Sequence, residues 1–257
     1  LRTAVRNVPA VEQEYLEEES ALKVRIKFRK QGNMKFIGHL DIMRYFQKVM
    51  RRADVDIRYS EGFSPHQIMS FAAPLGVGLT SNGEYMDIEV LSTDDSKTMV
   101  RRMNETMVEG MEVVSYRQLD DSSKNAMSIV AAADYTLTFR PGKEPEDLDG
   151  FFQKLEEFYD QDQILITKPT KKGERQVDLK PLIYQMYRTG DAVFMQVSTG
   201  SSNNIKPELV MEAFYHSLGE EYPPFAMQIQ REEVYADLGD ENERKLMPLE
   251  ALGEDIE

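Results

Sequence analysis

Two successive stretches of the chain show the same order of hydrophobic periodicities: strand-like, helix-like, strand-like twice, helix-like and strand-like. The first stretch opens with strict alternation, in which Leu22, Val24, Ile26 and Phe28 form one face and Lys or Arg residues occupy the positions between them. A period of two is typical of a half-buried strand. The repeated order β-α-β-β-α-β predicts an α+β fold made of two tandem ferredoxin-like units.

The predicted units divide the chain into four parts. Within the second unit, a strand at Ile164–Thr167 is followed by an insertion that reaches Gly190. The predicted parts are a flexible acidic arm (1–20), the first unit (21–120), the second unit (121–236) and a peripheral acidic tail (237–257).

Composition excludes several classes of function. The 257 residues contain no cysteine, which rules out disulfides, thiolate nucleophiles, cysteine-ligated zinc and an iron–sulfur cluster held by this chain alone. No apolar run approaches the roughly 18–20 residues of a membrane span, and the first residues lack the layout of a signal peptide. We therefore expect a cytoplasmic protein that has no membrane contact and no cofactor of its own.

The net charge of −14 is unevenly distributed. The stretch 23–70 holds 11 of the 31 Lys and Arg residues and only four acids, which indicates a site for an anionic partner. The overall charge argues against wholesale wrapping of nucleic acid, because many phosphate contacts would be needed. On the first strand, Arg25 and Lys27 either face RNA on an open sheet or pair with Asp87 and Glu89 of a neighbouring strand, and pairing is favoured.

A second group of cations lies on the helix predicted over residues 39–54. Four of them fall at positions i, i+4, i+7 and i+8 and form a stripe with no acidic residue among them. Such a stripe is either a solvated helix face or part of a phosphate-binding surface, to which flanking cations and the insertion contribute. The candidate residues of this surface are Lys35, Arg44, Lys48, Arg51, Arg52, Arg58, Lys171, Lys172 and Arg175.

Two histidines define a third candidate site. His39 lies at the predicted helix start, where backbone N–H groups favour anions, and His66 ends a loop that contains Gly62 and Pro65. If the histidines converge, they bind a phosphate, perform acid–base chemistry, or ligate a metal together with Asp41. The metal site is the weakest of these alternatives, because the two histidines lie on different elements and lack the sequence spacing that is diagnostic of metal ligands. Hydrogen bonds that brace the loop are the structural alternative. The candidates are His39, Tyr59, Ser60, Ser64 and His66, with His39, His66 and Tyr59 as the possible catalytic residues.

The motifs FIGHLD (36–41) and YSEGFSPH (59–66) carry a resemblance to a known family. Together with KKGERQVDLKPLIY and FAMQIQREEVY further along the chain, they resemble the radical SAM-associated domain of unknown function. That bacterial domain occurs alone or at the C-terminal end of B12-binding radical SAM proteins. This chain departs from the resemblance at the positions that flank Pro65-His66, where it has Ser64 and Gln67 and relatives tend to have Asn and Pro.

The resemblance implies a radical SAM protein as partner, which would supply all cluster chemistry. The family's usual gene neighbours, of ribonuclease E/G and ribosomal-protein type, imply RNA or a ribosomal component as substrate. We therefore expect an accessory protein that recruits or positions such a substrate, with no catalysis by this chain alone. Two alternatives remain: a metal-independent ribonuclease of the tandem ferredoxin-like type, and a purely protein-binding scaffold.

Overall fold

The protein is built on one large, mostly antiparallel sheet. The computed structural model describes residues 21–170, 173–201, 203–240 and 242–257, so the predicted arm 1–20 lies outside the described residues. The described helices are α1 (His39–Arg52), α2 (Ser96–Asn104), α3 (Ala126–Ile129), α4 (Leu148–Tyr159) and α5 (Pro207–Ser217). The described strands are β1 (Leu22–Lys30), β2 (Met69–Phe71), β3 (Thr80–Val90), β4 (Met111–Gln118), β5 (Val130–Phe139), β6 (Leu165–Thr170), β7 (Gly173–Asp178), β8 (Ile183–Thr189), β9 (Ala192–Ser198), β10 (Met227–Asp237), β11 (Leu246–Pro248) and β12 (Glu254–Asp255).

The strand order is the same in both halves of the sheet. Its path is β12-β4-β1-β3-β10-β5-β9-β8, with β2 added to β3 and β11 added to β10, while β6 and β7 form a separate hairpin. The first half therefore reads β4-β1-β3-β2 and the second β10-β5-β9-β8, with antiparallel neighbours throughout. The halves join through a parallel pairing of β3 with β10, in which Arg231 lies opposite Ser81. The observed class is α+β, as predicted.

Local patterns place the elements of the first half as expected. Val24, Ile26 and Phe28 of β1 are buried and share a core with Phe46 and Val49 of α1. Since successive strand residues face opposite sides, Lys23, Arg25, Lys27 and Arg29 of β1 lie on the sheet face away from α1.

The cap of α2 shows how a local signal fixes a boundary. The Asp95 carboxylate accepts a hydrogen bond from the Thr98 backbone N–H at 2.9 Å, which satisfies one of the free donors at the helix start. Helix α2 then buries Met99 and Met103 against β4.

The predicted insertion differs from the structure. The strand placed at Ile164–Thr167 pairs with β7 in the hairpin rather than with the large sheet. The edge of the large sheet is instead β8, which lies inside the predicted insertion and pairs with β9. Strand β8 is half-buried, because Ile183 and Met186 reach the core while its other side chains are partly or fully exposed.

The C-terminal segment packs on the sheet rather than at its periphery. Strand β11 pairs with β10, and β12 pairs with β4. Between them, Leu249 is completely buried and belongs to the core of the second half. This segment therefore covers the sheet face that carries the β1 cations.

Candidate functional site

The basic face of β1 is neutralised within the fold. Arg25 is 1% exposed and forms a two-pronged ion pair with Asp87, at 2.8 Å (Nε to Oδ1) and 2.9 Å (Nη2 to Oδ2). This confirms the pairing expected for Arg25. Lys27 is also paired, but with neither Asp87 nor Glu89: its Nζ lies 2.7 Å from both Glu233 and Glu250.

Coverage by the C-terminal segment explains the different partner of Lys27. Glu250 reaches across the sheet face to Lys27 and also accepts a hydrogen bond from Ser115. Burial alone would lower the pKa of Lys27, but the hydrogen bonds to Glu233 and Glu250 raise it above its ordinary value. These cations are therefore unavailable to RNA, and the open-sheet interpretation is wrong.

A buried charged cluster lies where the two halves meet. Arg231 Nη1 contacts both oxygens of Glu84, at 3.0 and 3.2 Å, and both side chains are less than a tenth exposed. Burial alone would lower the pKa of Arg231, but the Glu84 carboxylate and the Tyr135 hydroxyl raise it. Lys30 is also buried and donates to the Ile37 carbonyl at 2.8 Å; burial lowers its pKa, against the effect of Glu84.

His39 borders this buried region and is itself half-buried. Its ring packs edge-on against Phe71, with centroids 5.3 Å apart, and it lines a cavity of about 20 Å³ together with Lys30 and Glu84. Such a volume admits one water molecule and no substrate. The pKa of His39 is lowered mainly by burial and to a smaller extent by the nearby Lys30 ammonium. The ring therefore contributes to packing on the α1 side of the sheet.

His66 lies on the opposite face of the sheet. Its Nδ1 is 2.8 Å from Ser60 Oγ and 3.4 Å from the Ser64 carbonyl, and its backbone N–H donates to Ser60 Oγ at 3.1 Å. Ser60 and Ser64 thus hold the exposed imidazole in place, as loop bracing predicts. The two histidines line different cavities, so the structure does not bring them together.

Tyr59 also points away from His66. It forms a bridge with Gln67, and Gln67 Nε2 donates to the Tyr59 hydroxyl at 3.4 Å. Since His66 and Gln67 are successive residues of extended chain, their side chains face opposite sides. Tyr59 and His66 consequently do not form an acid–base pair.

The stripe on α1 is exposed along its whole length. Arg44, Lys48, Arg51 and Arg52 all face solvent. Only Arg44 forms an ion pair within the described part of the chain, with Asp41 at 3.1 Å, and this pair is more than half exposed. Exposed pairs of this kind contribute about 0–1 kcal/mol, so even Arg44 is available to a partner.

The His66 loop is tied to the middle of this stripe. Gln67 Nε2 donates to the Gln47 carbonyl of α1 at 3.4 Å, and Gln47 lies one turn from both Arg44 and Arg51. At the loop tip, Phe63 is fully exposed, and the φ of +105° at Gly62 allows the chain to turn there. An exposed aromatic ring therefore lies at the tip of a loop that is attached to α1 through Gln67. The combination of stripe and loop is called the basic surface below.

The remaining predicted cations do not extend the basic surface in a single patch. Arg58 is paired with Glu89 at 3.1 Å, and Lys35 donates to Gln228 of β10 at 3.1 Å. Arg175 is exposed on β7, and the hairpin packs in the core of the second half, whereas α1 packs in that of the first. Lys171 and Lys172 lie outside the described residues.

A cleft of about 280 Å³ opens beside His66. Its floor is apolar, formed by Ile68, Met69 and Leu119, and its rim carries Lys124 and Asn125 from the connection between the halves. Sequence reasoning did not identify these rim residues. Their only sequence signal is a polar linker before a strand, whereas Phe63 was detectable as an aromatic residue in a Gly-, Ser- and Pro-containing loop.

The described residues contain neither a candidate metal site nor a candidate membrane-spanning helix. Among the described residues, no three His, Asp or Glu side chains converge in a way that could hold a metal ion. None of the helices in the described ranges is long and apolar enough to cross a membrane.

The chain belongs to a bacterial family described as "Uncharacterized protein conserved in bacteria (DUF2344)", which matches residues 23–207. The expectation of a bacterial domain of unknown function is thereby confirmed, while the link to radical SAM proteins stays a prediction. No curated protein matches the chain.

Among the solved structures that are similar to this chain is a chain from the "Crystal Structure of a Cbf5-Nop10-Gar1 Complex". The TM-score is 0.40 at 13% sequence identity. The match covers 82% of this chain and 48% of that chain, so the present chain spans about half of its length.

Proposed function

We propose that this chain is an RNA-binding accessory protein, which positions an RNA or ribosomal substrate for a separate radical SAM enzyme. The observation that carries the RNA part is the basic surface, which combines a row of exposed cations on α1 with the exposed ring of Phe63 on the loop attached to that helix. Proteins that bind single strands without sequence preference combine backbone-tracking cations with aromatic side chains on which bases stack.

The distribution of charge supports this assignment. Arg25 and Lys27 of β1 are neutralised by Asp87, Glu233 and Glu250, whereas the cations of α1 remain exposed. The acidic remainder of the chain repels RNA, which restricts RNA contact to the basic surface. The partner enzyme is inferred from the motifs FIGHLD and YSEGFSPH, and the cytoplasmic location from the same resemblance and the lack of cysteine.

We also propose that each half is a ferredoxin-like unit. The support is the shared antiparallel strand order, in which the fourth, first, third and second strands follow one another in each half. Superposition of residues 21–120 on residues 121–236 tests this. Failure of the four equivalent strands to overlay would reject the duplication.

Charge reversal on α1 tests RNA binding. The triple variant Arg44→Glu, Lys48→Glu, Arg51→Glu is expected to bind single-stranded RNA at least about tenfold more weakly. If three phosphate contacts are lost, the slope of log affinity against log salt falls by about 2. Fluorescence anisotropy with a labelled oligonucleotide, between about 50 and 200 mM salt, measures both quantities.

Two further variants separate this surface from general charge effects. Lys97→Glu, Lys143→Glu, Lys154→Glu makes the same change in net charge at exposed positions outside the basic surface, and it should leave the slope unchanged. Phe63→Ala should weaken binding by about 1–3 kcal/mol without altering the slope, because a stacked base is lost rather than a phosphate contact. Equal losses in both triple variants would reject the assignment.

The partner proposal predicts a stable protein complex. Affinity purification of the chain from its native cell should recover a radical SAM protein, and RNase treatment of the lysate should not release it. Recovery of RNA without any such enzyme, before and after RNase, would reject the partner while leaving RNA binding intact.

The ribonuclease alternative is less well supported, because His39 and His66 lie on opposite faces of the sheet. The RNA recovered from the anisotropy samples should therefore be intact on a denaturing gel. Cleavage that survives EDTA and disappears in His66→Ala would favour the nuclease instead.

A further inference from the structure

We propose that the cleft beside His66 binds the phosphorylated end of an RNA strand, with the terminal base on the apolar floor and the phosphate at the rim. The choice of a nucleotide as ligand rests on the function proposed above. The site itself rests on unpartnered donors around an apolar cleft, which is a separate observation from the α1 stripe.

Two segments that are fixed by hydrogen bonds form the walls of the cleft. On one side, the backbone N–H of Ser60 donates to the His66 carbonyl at 2.8 Å and closes the His66 loop. On the other, Lys23 Nζ is held by the carbonyls of Asp121 and Ser123, which fixes the connection between the halves. The walls are thus positioned before a ligand arrives, which lowers the entropic cost of binding.

The rim presents donors without acceptors. No hydrogen bond or ion pair in the described part of the chain engages Lys124 Nζ, and the same holds for Asn125 Nδ2. Ser60 Oγ already accepts from the His66 N–H, so its own hydrogen is free for His66 Nδ1. In the tautomer in which Ser60 donates to Nδ1, His66 Nε2 carries the ring proton and is a third free donor.

The acidic residues of the cleft do not oppose an anion, because each is already engaged. Asp87 is neutralised by Arg25, and Glu89 by Arg58. In the linker, the Asp120 carboxylate accepts from the Ser122 N–H and hydroxyl, and these hydrogen bonds lower its pKa. The positive charges left free at the cleft are therefore those of Lys124 and of Lys23, whose carbonyl partners are neutral.

Size and position select the ligand class. A cleft of about 280 Å³ lies at the lower end of small-molecule sites, near the size of one nucleotide. The apolar floor accepts a flat base, and three donors match the oxygens of a terminal phosphate. Phe63 lies three residues before His66. Since three residues of chain span at most about 11 Å, a strand stacked on Phe63 can reach the cleft.

Short ligands test the cleft independently of α1. Trinucleotides with a 5′-phosphate, a 3′-phosphate or no terminal phosphate are titrated into the intact chain and followed by the NMR signals of the Asn125 amide and the His66 ring. A phosphorylated trinucleotide should bind more tightly than the unphosphorylated one. Lys124→Glu should weaken the binding of the phosphorylated trinucleotide by roughly tenfold or more, since a charge-assisted hydrogen bond is replaced by repulsion.

Lys143→Glu is the matched control, since it reverses an exposed charge away from the cleft and should change affinity by less than about twofold. Lys124→Gln, which removes the charge without repulsion, should give an intermediate loss. Equal binding of phosphorylated and unphosphorylated ligands, or equal effects of Lys124→Glu and Lys143→Glu, would overturn the proposal. A mononucleotide that binds as tightly as the trinucleotide would also overturn it as an RNA-end site and assign the cleft to free nucleotides.

The two proposals fail separately. If the α1 triple variant keeps its RNA affinity while Lys124→Glu loses the phosphorylated trinucleotide, the cleft stands and the basic surface does not. The reverse result rejects the cleft alone.

Discussion

Replacing Glu84 with glutamine is expected to lower the free energy of unfolding by about 3–5 kcal/mol, because it leaves buried positive charge without a counter-ion. The carboxylate accepts two hydrogen bonds from Arg231 Nη1 and lies near the buried ammonium of Lys30. Glutamine keeps the shape and loses the charge. For a chain of this size, the expected decrease in Tm is roughly 6–20 °C.

Glu112 provides the matched control for this prediction. Its ion pair with Arg29 has a similar length, 2.9 Å, but the two side chains are about half exposed. Glu112→Gln should therefore cost about 0–1 kcal/mol in urea unfolding. A cost for Glu84→Gln in the same range would contradict a role for the buried charge.

A double variant identifies why Glu84→Gln lowers the free energy of unfolding. Glu84→Gln combined with Arg231→Met removes the unpaired guanidinium, so part of the lost stability should return. If the double variant is less stable than Glu84→Gln alone, packing and the Arg231 hydrogen bonds to Tyr135 and Ala73 outweigh the charge.

Elements whose signals are local could be predicted from the sequence. The alternation in β1 and the apolar stripe of α1 decide which side chains face the core, and the structure buries Ile26 and Phe46 accordingly. The cap at Asp95 is equally local, since donor and acceptor are three residues apart. Such features need no knowledge of what packs from elsewhere in the chain.

Elements that depend on distant partners could not be predicted. Alternation places Arg25 on the outer face of β1, but the group that covers it, the Leu249 carbonyl, lies 224 residues away in sequence. Strand β8 was missed because its register shifts between Ile183 and Gln185, so that its buried residues Ile183 and Met186 are three apart and break the period of two.

The same limit applies to the candidate site. The residue types and the exposed stripe on α1 follow from helical spacing, and the bracing of His66 by Ser60 follows from loop chemistry. The separation of His39 from His66 depends on which sheet face each element meets, which no motif records. The rim of the cleft needs the connection between the halves to fold back over β2 and β3.

Leu249→Ala is expected to destabilise the protein by about 2–5 kcal/mol, although it lies beyond the family match at 23–207 and near the end of the sequence. Leu249 is completely buried, so truncation removes apolar contacts and leaves a cavity. The neighbouring residue Glu250 neutralises Lys27, and the Leu249 carbonyl accepts a hydrogen bond from Arg25. Loosening this segment therefore also disturbs the charged face of β1.

Leu238→Ala is the matched control, because Leu238 is half exposed and its truncation should cost no more than about 0.5 kcal/mol. Urea unfolding followed by circular dichroism measures both variants. Hydrogen exchange should also become faster in β11 and β12 of Leu249→Ala, since their strand pairing depends on the anchored segment. Equal stability of the two variants would mean that residues 246–257 are a peripheral tail after all, and that the β1 cations are accessible to RNA.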